Sequence, residues 1–476
     1  MGEEIGATHF TEQDFQRFHQ RLRDETTLLK QCFLDKCFTT APLHCGYELE
    51  VWLVDQAYWP APINGKFIEA MHNPMVSPEL ASFNIEFNYQ ARELSGQALH
   101  HSHVEMQDLW QAGNQTANAF DSQLVMIGIL PTVRDADLTM RNISSMKRYA
   151  ALNEQVFKQR QGRPLTLDIH GQEILRSQHQ DVMMESAATS FQIHLQVPVD
   201  MAVRAYNASL ILSAPMVAVS ANSPYLFGKQ LWNETRVPLF EQAVELGGYA
   251  GAAHGPVRRV TFGSGYARES LFEVFQENLE HYPILLPVVS EDDAAMLHHV
   301  RLHNGTLWRW NRPLIGVDKG GYHIRIEHRV VPAGPSIIDN MANAAFYYGL
   351  AQFLSTRPTA PESLLPFELA RDNFYHAAQH GLESQVTWLE GNKLKMQTLI
   401  LDRLLPMAQR GLEQLQIDTE DKDLYLGIIE QRTKNHCNGA AWQRAFVAKY
   451  GLDMQALTRV YVEHQNSGAP VHEWGL

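Results

Sequence analysis

Acidic residues stand at alternating positions in three stretches that read as β-strand: Glu48 and Glu50 in GYELEVWLVD, Glu86 and Glu93 in NIEFNYQARELSG, and Glu327 in YHIRIEHRVVP. Side chains alternate across a strand, so Glu48 and Glu50 share a face, as do Arg325, Glu327 and Arg329. Two like charges about 4 Å apart repel by roughly 4 kcal/mol at an effective dielectric near 20. Carboxylates that converge therefore call for protons or divalent cations. Hard oxygen donors suit magnesium or manganese, and arginines beside the metal suit a phosphate. Taken singly, each stretch has a plainer reading, because an amphipathic strand with a solvated polar face gives the same spacing.

In SFQIHLQVP, Gln192 and His194 lie on one face and Phe191, Ile193 and Leu195 on the other. A neutral imidazole ligates metal and an amide oxygen contacts metal or substrate, while a hydrogen-bonded strand histidine is the alternative. TLWRWNRP and IRIEHRVVP carry Arg312 and Arg329, whose planar guanidinium groups suit a phosphoryl oxygen or a substrate carboxylate; the alternative is an ordinary cross-strand Arg–Glu pair. No GxxxxGK[ST] and no GxGxxG occurs, so any ATP site is built from metals and a sheet. The HHSH run at 100–103 falls in a helical stretch, where adjacent residues point apart, and is not read as a metal site.

These residues need elements to hold them. Apolar spacing predicts helices over 11–38, 97–122, Met146–Gln161, 200–218 and near 233–247. Strands are expected at Gly46–Asp55, Phe83–Tyr89, Arg92–Ser95, Leu124–Leu130, Thr189–Val197 and within Thr306–Pro332, with short strands and Gly-rich turns over 248–290. Everything after Pro335 reads as mostly helical. The fold class is α+β in a single catalytic unit: an N-terminal helical segment (1–43), the sheet and site (44–355), and a helical C-terminal region (356–476).

At 476 residues, 45% hydrophobic and 19% charged, the chain is long enough for a large core and ordinary for a folded, soluble protein. A formal charge of −14 argues against a nucleic-acid partner, so anionic substrates need local positive charge or bound metal. Cys32, Cys37, Cys45 and Cys437 do not form paired CxxC ligands and read as reduced thiols of a cytoplasmic protein. The acidic start MGEEIGATHFTEQDF lacks an apolar signal core, and the longest apolar run, Leu210–Ala221, is too short for a bilayer about 30 Å thick. No membrane segment is expected.

Taken in order, GYELEVWLV, IEFNYQARELSG, SFQIHLQVP, ANSPYLFGK, TLWRWNR and IRIEHRVVP resemble the glutamate–cysteine ligase family of the plant-like and bacterial carboxylate–amine ligase type, across roughly residues 44 to 355. The resemblance implies a curved, mainly antiparallel sheet forming a funnel, related to glutamine synthetase, with helices on its outer side. It implies that Glu48, Glu50, Glu86, Glu93 and Glu327 hold magnesium ions that grip ATP, with Gln192 or His194 completing a site. Arg312 and Arg329 would neutralise phosphate, with Arg329 and Glu327 at the reacting centre. Arg236 matches an arginine near the substrate pocket, and a surface salt bridge is the competing reading. The implied substrates are ATP, glutamate, and cysteine or another amine. A catalytically silent binding protein on the same scaffold is the alternative from a different class.

Overall fold

The computed structural model describes residues 4–40, 42–246, 258–318 and 320–476. Its centre is an eight-stranded antiparallel sheet curled into a half-barrel. The strands are β1 (His44–Asp55), β2 (Val76–Pro78), β3 (Asn84–Asn88), β4 (Arg92–Glu93), β5 (Ser122–Val125), β6 (Phe191–Val197), β7 (Asn311–Asp318) and β8 (Gly321–His328). Their order across the sheet is β7–β8–β6–β1–β3–β2, with β4 and β5 also paired to β1.

Strand alternation gives this sheet one apolar and one polar face. Tyr47, Leu49, Val51 and Leu53 of β1, Ile193 and Leu195 of β6, and Ile324 and Ile326 of β8 are all buried. Against that side pack two long helices, Val199–Ser220 and Ile337–Thr356. The Tyr348 hydroxyl donates to the His194 carbonyl oxygen at 3.0 Å, fastening the second helix to the strand that carries the site. By length and hydropathy Val199–Ser220 suffices to cross a membrane, but 89% of its apolar window is buried inside the fold.

The helices after Thr356 clasp the outer layer. Arg432 and Asp339 form a fully buried ion pair at 2.6 Å, and Arg432 also donates to Asn343 Oδ1 and to the Val219 carbonyl, so one guanidinium ties both core helices to the C-terminal region. Gly349 and Gly411 meet where backbones touch and leave no room for a Cβ.

Several expected elements are found with trimmed ends: Glu12–Leu34, Ala98–Asn118, Lys147–Gln159 and Arg236–Ala243 are helices. The run Leu124–Leu130 is strand only as far as Val125. Part of the expected 248–290 region lies outside the described residues; the remainder includes a helix, Phe272–His281, that the Gly-rich reading did not foresee. A hairpin of Leu165–His170 and Ile174–His179 was also not foreseen, nor was the short strand pair Gln385–Thr387 and Lys393–Lys395 within the helical C-terminal region.

Candidate functional site

The polar face of the sheet lines a cavity of about 360 Å³. Strand register explains the convergence. Glu50 of β1 stands directly opposite Glu86 of β3; Glu48 opposite Gln192 of β6; His194 opposite Glu327 of β8; and Glu327 opposite Arg312 of β7. Five neighbouring strands thus project one continuous row of charged and polar groups.

The acidic cluster is held in a buried setting. Glu50 accepts from the Ser190 backbone N–H at 2.6 Å and from Gln192 Nε2 at 2.9 Å. Burial raises its carboxyl, against the opposing pull of Arg329 and Arg236. Burial together with the Glu48 and Glu50 charges pushes the Glu86 carboxyl up to about 7; Asn88 Nδ2 donates to it at 3.0 Å. Glu327 is the opposite case. Burial works against its ionisation, yet Arg312 and Arg329 prevail and hold the carboxyl at about 2.

Arg312 grips Glu327 with both arms of its guanidinium, Nε to Oε2 at 2.8 Å and Nη2 to Oε1 at 2.9 Å, and Arg329 approaches Oε2 at 3.3 Å. The cross-strand Arg–Glu pair and the anion-facing position are therefore one arrangement. Both Glu327 oxygens are engaged by these contacts, with an acceptor site left on Oε1. Arg329 Nε is buried without a hydrogen-bond partner, as is Arg325 Nε on the same face.

Gln192 and His194 separate in role. The Gln192 amide oxygen accepts from Arg329 and its nitrogen donates to Glu50, so both ends are occupied in linking a carboxylate to a guanidinium. His194 Nε2 has no hydrogen-bond partner and lies 3.4 Å from Glu48 Oε1. One ligand atom each from Glu48, His194 and Glu327 lie within 4.8 Å of one another. An orphaned buried imidazole nitrogen among carboxylate oxygens fits a divalent cation of the magnesium or manganese type.

Two placements correct the sequence reading. Glu93 is exposed and outside the cavity lining. It pairs opposite His44, four residues before Glu48 and so roughly 13 Å along β1, and accepts from the Ser95 hydroxyl. Arg236 is neither on the surface nor in the cavity lining. It is 2% exposed, ion-paired to Glu234 at 3.1 Å, and donates to the carbonyl oxygens of Arg329 and Val330. Its donors fix the backbone that carries Arg329.

Sequence reasoning also missed residues. Glu79, just after β2, and Glu185, in a short turn of 3₁₀ helix, extend the acidic flank. Burial with Glu50 nearby lifts Glu185 to about 7, and burial with Glu86 nearby lifts Glu79 well above the usual carboxylate range. On the opposite flank His298 and Arg301 of the helix His298–Gly305 join Arg312 and Arg325. The cavity is thus acidic towards β2 and β3 and basic towards β7 and β8. No lining residue comes from 356–476.

A sequence profile of the glutamate-cysteine ligase family 2 matches residues 44–464. Among solved structures the chain is similar to a glutamate–cysteine ligase from Francisella tularensis determined in complex with AMP, with a TM-score of 0.60, 10% identity and 90% of each chain covered. It is also similar to a bifunctional glutathione synthetase from Pasteurella multocida, with a TM-score of 0.56 and 11% identity over 93% of this chain and 55% of that one. At such identities the likeness is one of fold. No curated protein matches the sequence.

Proposed function

The chain belongs to the glutamate-cysteine ligase family 2, and from that premise we propose that it is an ATP-dependent carboxylate–amine ligase that joins glutamate to cysteine through a γ-glutamyl phosphate. The observation that carries this reading is the row of Glu86, Glu50, Glu48 and Glu327 lining one cavity, with the buried His194 beside Glu48 and Glu327 and arginines on the far flank.

Magnesium or manganese is expected on Glu48, Glu50, Glu86, Glu327 and His194, where it supplies neutralisation of polyphosphate charge. The γ-carboxylate of glutamate attacks the γ-phosphorus of ATP and ADP leaves; the amine then attacks the acyl phosphate carbon and inorganic phosphate leaves. Neither step needs a protein nucleophile. The chain contributes position and charge. Arg329 and Arg325 line the cavity with positive charge that would neutralise phosphoryl oxygens, Arg312 holds Glu327 ionised, and Gln192 keeps Arg329 and Glu50 in fixed relation.

The acidic flank of Glu79 and Glu185 favours a second reading, in which a more cationic amine takes the place of cysteine. A screen of ADP release across acid and amine pairs, with products identified by mass spectrometry, separates the two. ADP and γ-glutamylcysteine from glutamate and cysteine support the first reading, and turnover only with diamines supports the second. No ADP with any pair refutes both.

A further inference from the structure

The family match begins at residue 44, yet a side chain of the helix Glu12–Leu34 reaches the wall of the cavity. Glu25 is 1% exposed. Its Oε2 accepts from the backbone N–H groups of His299 at 2.8 Å and Val300 at 3.0 Å, and its Oε1 receives His299 Nδ1 at 2.6 Å. Because the Ser290 N–H donates to His299 Nε2 at 3.1 Å, the ring proton sits on Nδ1 and points at Glu25. One carboxylate therefore closes the N-terminus of the helix His298–Gly305, where the helix dipole also favours negative charge.

That helix has two ends and two tasks. Along its length it presents His298, Arg301 and Leu302 to the cavity. At its C-terminal end the carbonyl oxygens of Asn304 and Gly305 accept from Arg312 Nη1 at 3.4 and 3.3 Å, and Asn304 Nδ2 is anchored on the Pro313 carbonyl at 3.0 Å. Arg312 in turn grips Glu327. A continuous set of contacts runs from Glu25 through one eight-residue helix to the Arg312 guanidinium. The N-terminal segment touches the cavity a second time: Ile5 lines it, and Glu4 accepts from the N–H groups of Lys147 and Arg148, at the start of the helix that carries the lining residues Arg148 and Tyr149.

We propose that Glu25 is a positioning residue for the phosphate-binding side of the site, acting through the His298–Gly305 helix to set where Arg312 stands. This rests on the ligase reading above. Glu25 touches neither substrate nor metal; it acts through the helix, so its loss should weaken nucleotide affinity more than turnover.

The test compares steady-state kinetics of the full-length wild type, Glu25→Gln, Glu25→Asp, Arg312→Lys and the Glu25→Gln/Arg312→Lys double variant, with magnesium–ATP varied. Glu25→Gln places an amide NH₂ against two backbone donors or the ring N–H, and is expected to raise KM for ATP about tenfold, with kcat within about twofold. Glu25→Asp keeps the charge and draws it back by one methylene, so its KM should fall between. In the Arg312→Lys background the further effect of Glu25→Gln should largely vanish, because both changes act on one contact. If Glu25→Gln fails to fold, Glu25→Asp alone carries the KM comparison. A lowered kcat at unchanged KM, or additive effects in the double variant, overturns the proposal while leaving the ligase reading intact. An inactive wild type overturns that reading instead.

Discussion

Glu86 and Glu50 face each other across a strand pair, so removing one charge should stabilise the metal-free fold while abolishing activity. The Glu86 carboxyl sits at about 7 instead of 4.5, and it is 3% exposed. At about 1.4 kcal/mol per tenfold in proton affinity, its ionisation costs the fold on the order of 3 kcal/mol. The sign follows from linkage. Below pH 4.5 the group is protonated in both folded and unfolded chains. Between 4.5 and 7 only the unfolded chain ionises, which draws the equilibrium towards unfolding, and at about pH 8 the whole cost is present. Glu86→Gln keeps an oxygen for Asn88 Nδ2 and removes the charge. With 476 residues and about 2.1 cal/mol/K of unfolding entropy per residue, roughly 3 kcal/mol corresponds to about 3 °C in Tm. In chelator at about pH 8 the variant should melt about 3 °C above wild type, and the gap should shrink to about 1 °C at about pH 5. Magnesium should close most of the gap, since a ligand at 100 times its Kd adds about 2.7 kcal/mol to the wild type. Differential scanning calorimetry at both pH values, with and without magnesium, reads all of this. A variant that melts lower in chelator at the higher pH, or a gap that ignores pH, refutes the reasoning.

Three further outcomes follow from the contacts. Arg312→Ala strips Glu327 of its bidentate partner; breaking such a buried pair costs about 3–5 kcal/mol, so the variant should unfold at markedly lower urea and lose ADP release. Arg236→Lys should lower kcat by about tenfold or more, although Arg236 does not line the cavity, because a lysine cannot serve Glu234 and the Arg329 and Val330 carbonyls together; unchanged kinetics would contradict that role. Glu93→Gln should retain ADP release within about twofold of wild type, since Glu93 is exposed and outside the cavity; a loss of about a hundredfold would return it to the site.

Much of the sheet and part of the site was legible because strand alternation is a local property. GYELEVWLVD declares both faces of β1 by itself, and SFQIHLQVP does the same for β6. Register across strands is not local, which is why Glu93 was grouped with Glu86: the turn after Asn88 sends β4 to the far end of β1. Arg236 reads in sequence as a substrate-pocket arginine or a surface ion pair, and only the fold buries it beneath the Arg329 backbone. Glu79 and Glu185 belong to no motif and come from turns whose placement depends on tertiary packing. Arg301 and His298 are carried by a helix whose position Glu25 fixes from a stretch more than 270 residues earlier. Hydrogen bonding separates the two polar residues of β6, since Gln192 has both amide atoms paired and His194 Nε2 has no hydrogen-bond partner.

The most direct test of the gathered carboxylates is manganese binding followed by electron paramagnetic resonance, with a non-hydrolysable ATP analogue present. The wild type should bind manganese only weakly alone and tightly with the analogue, and Glu48→Gln together with Glu50→Gln should remove that bound fraction. An unchanged manganese signal in the double variant, folded by circular dichroism, would contradict the account.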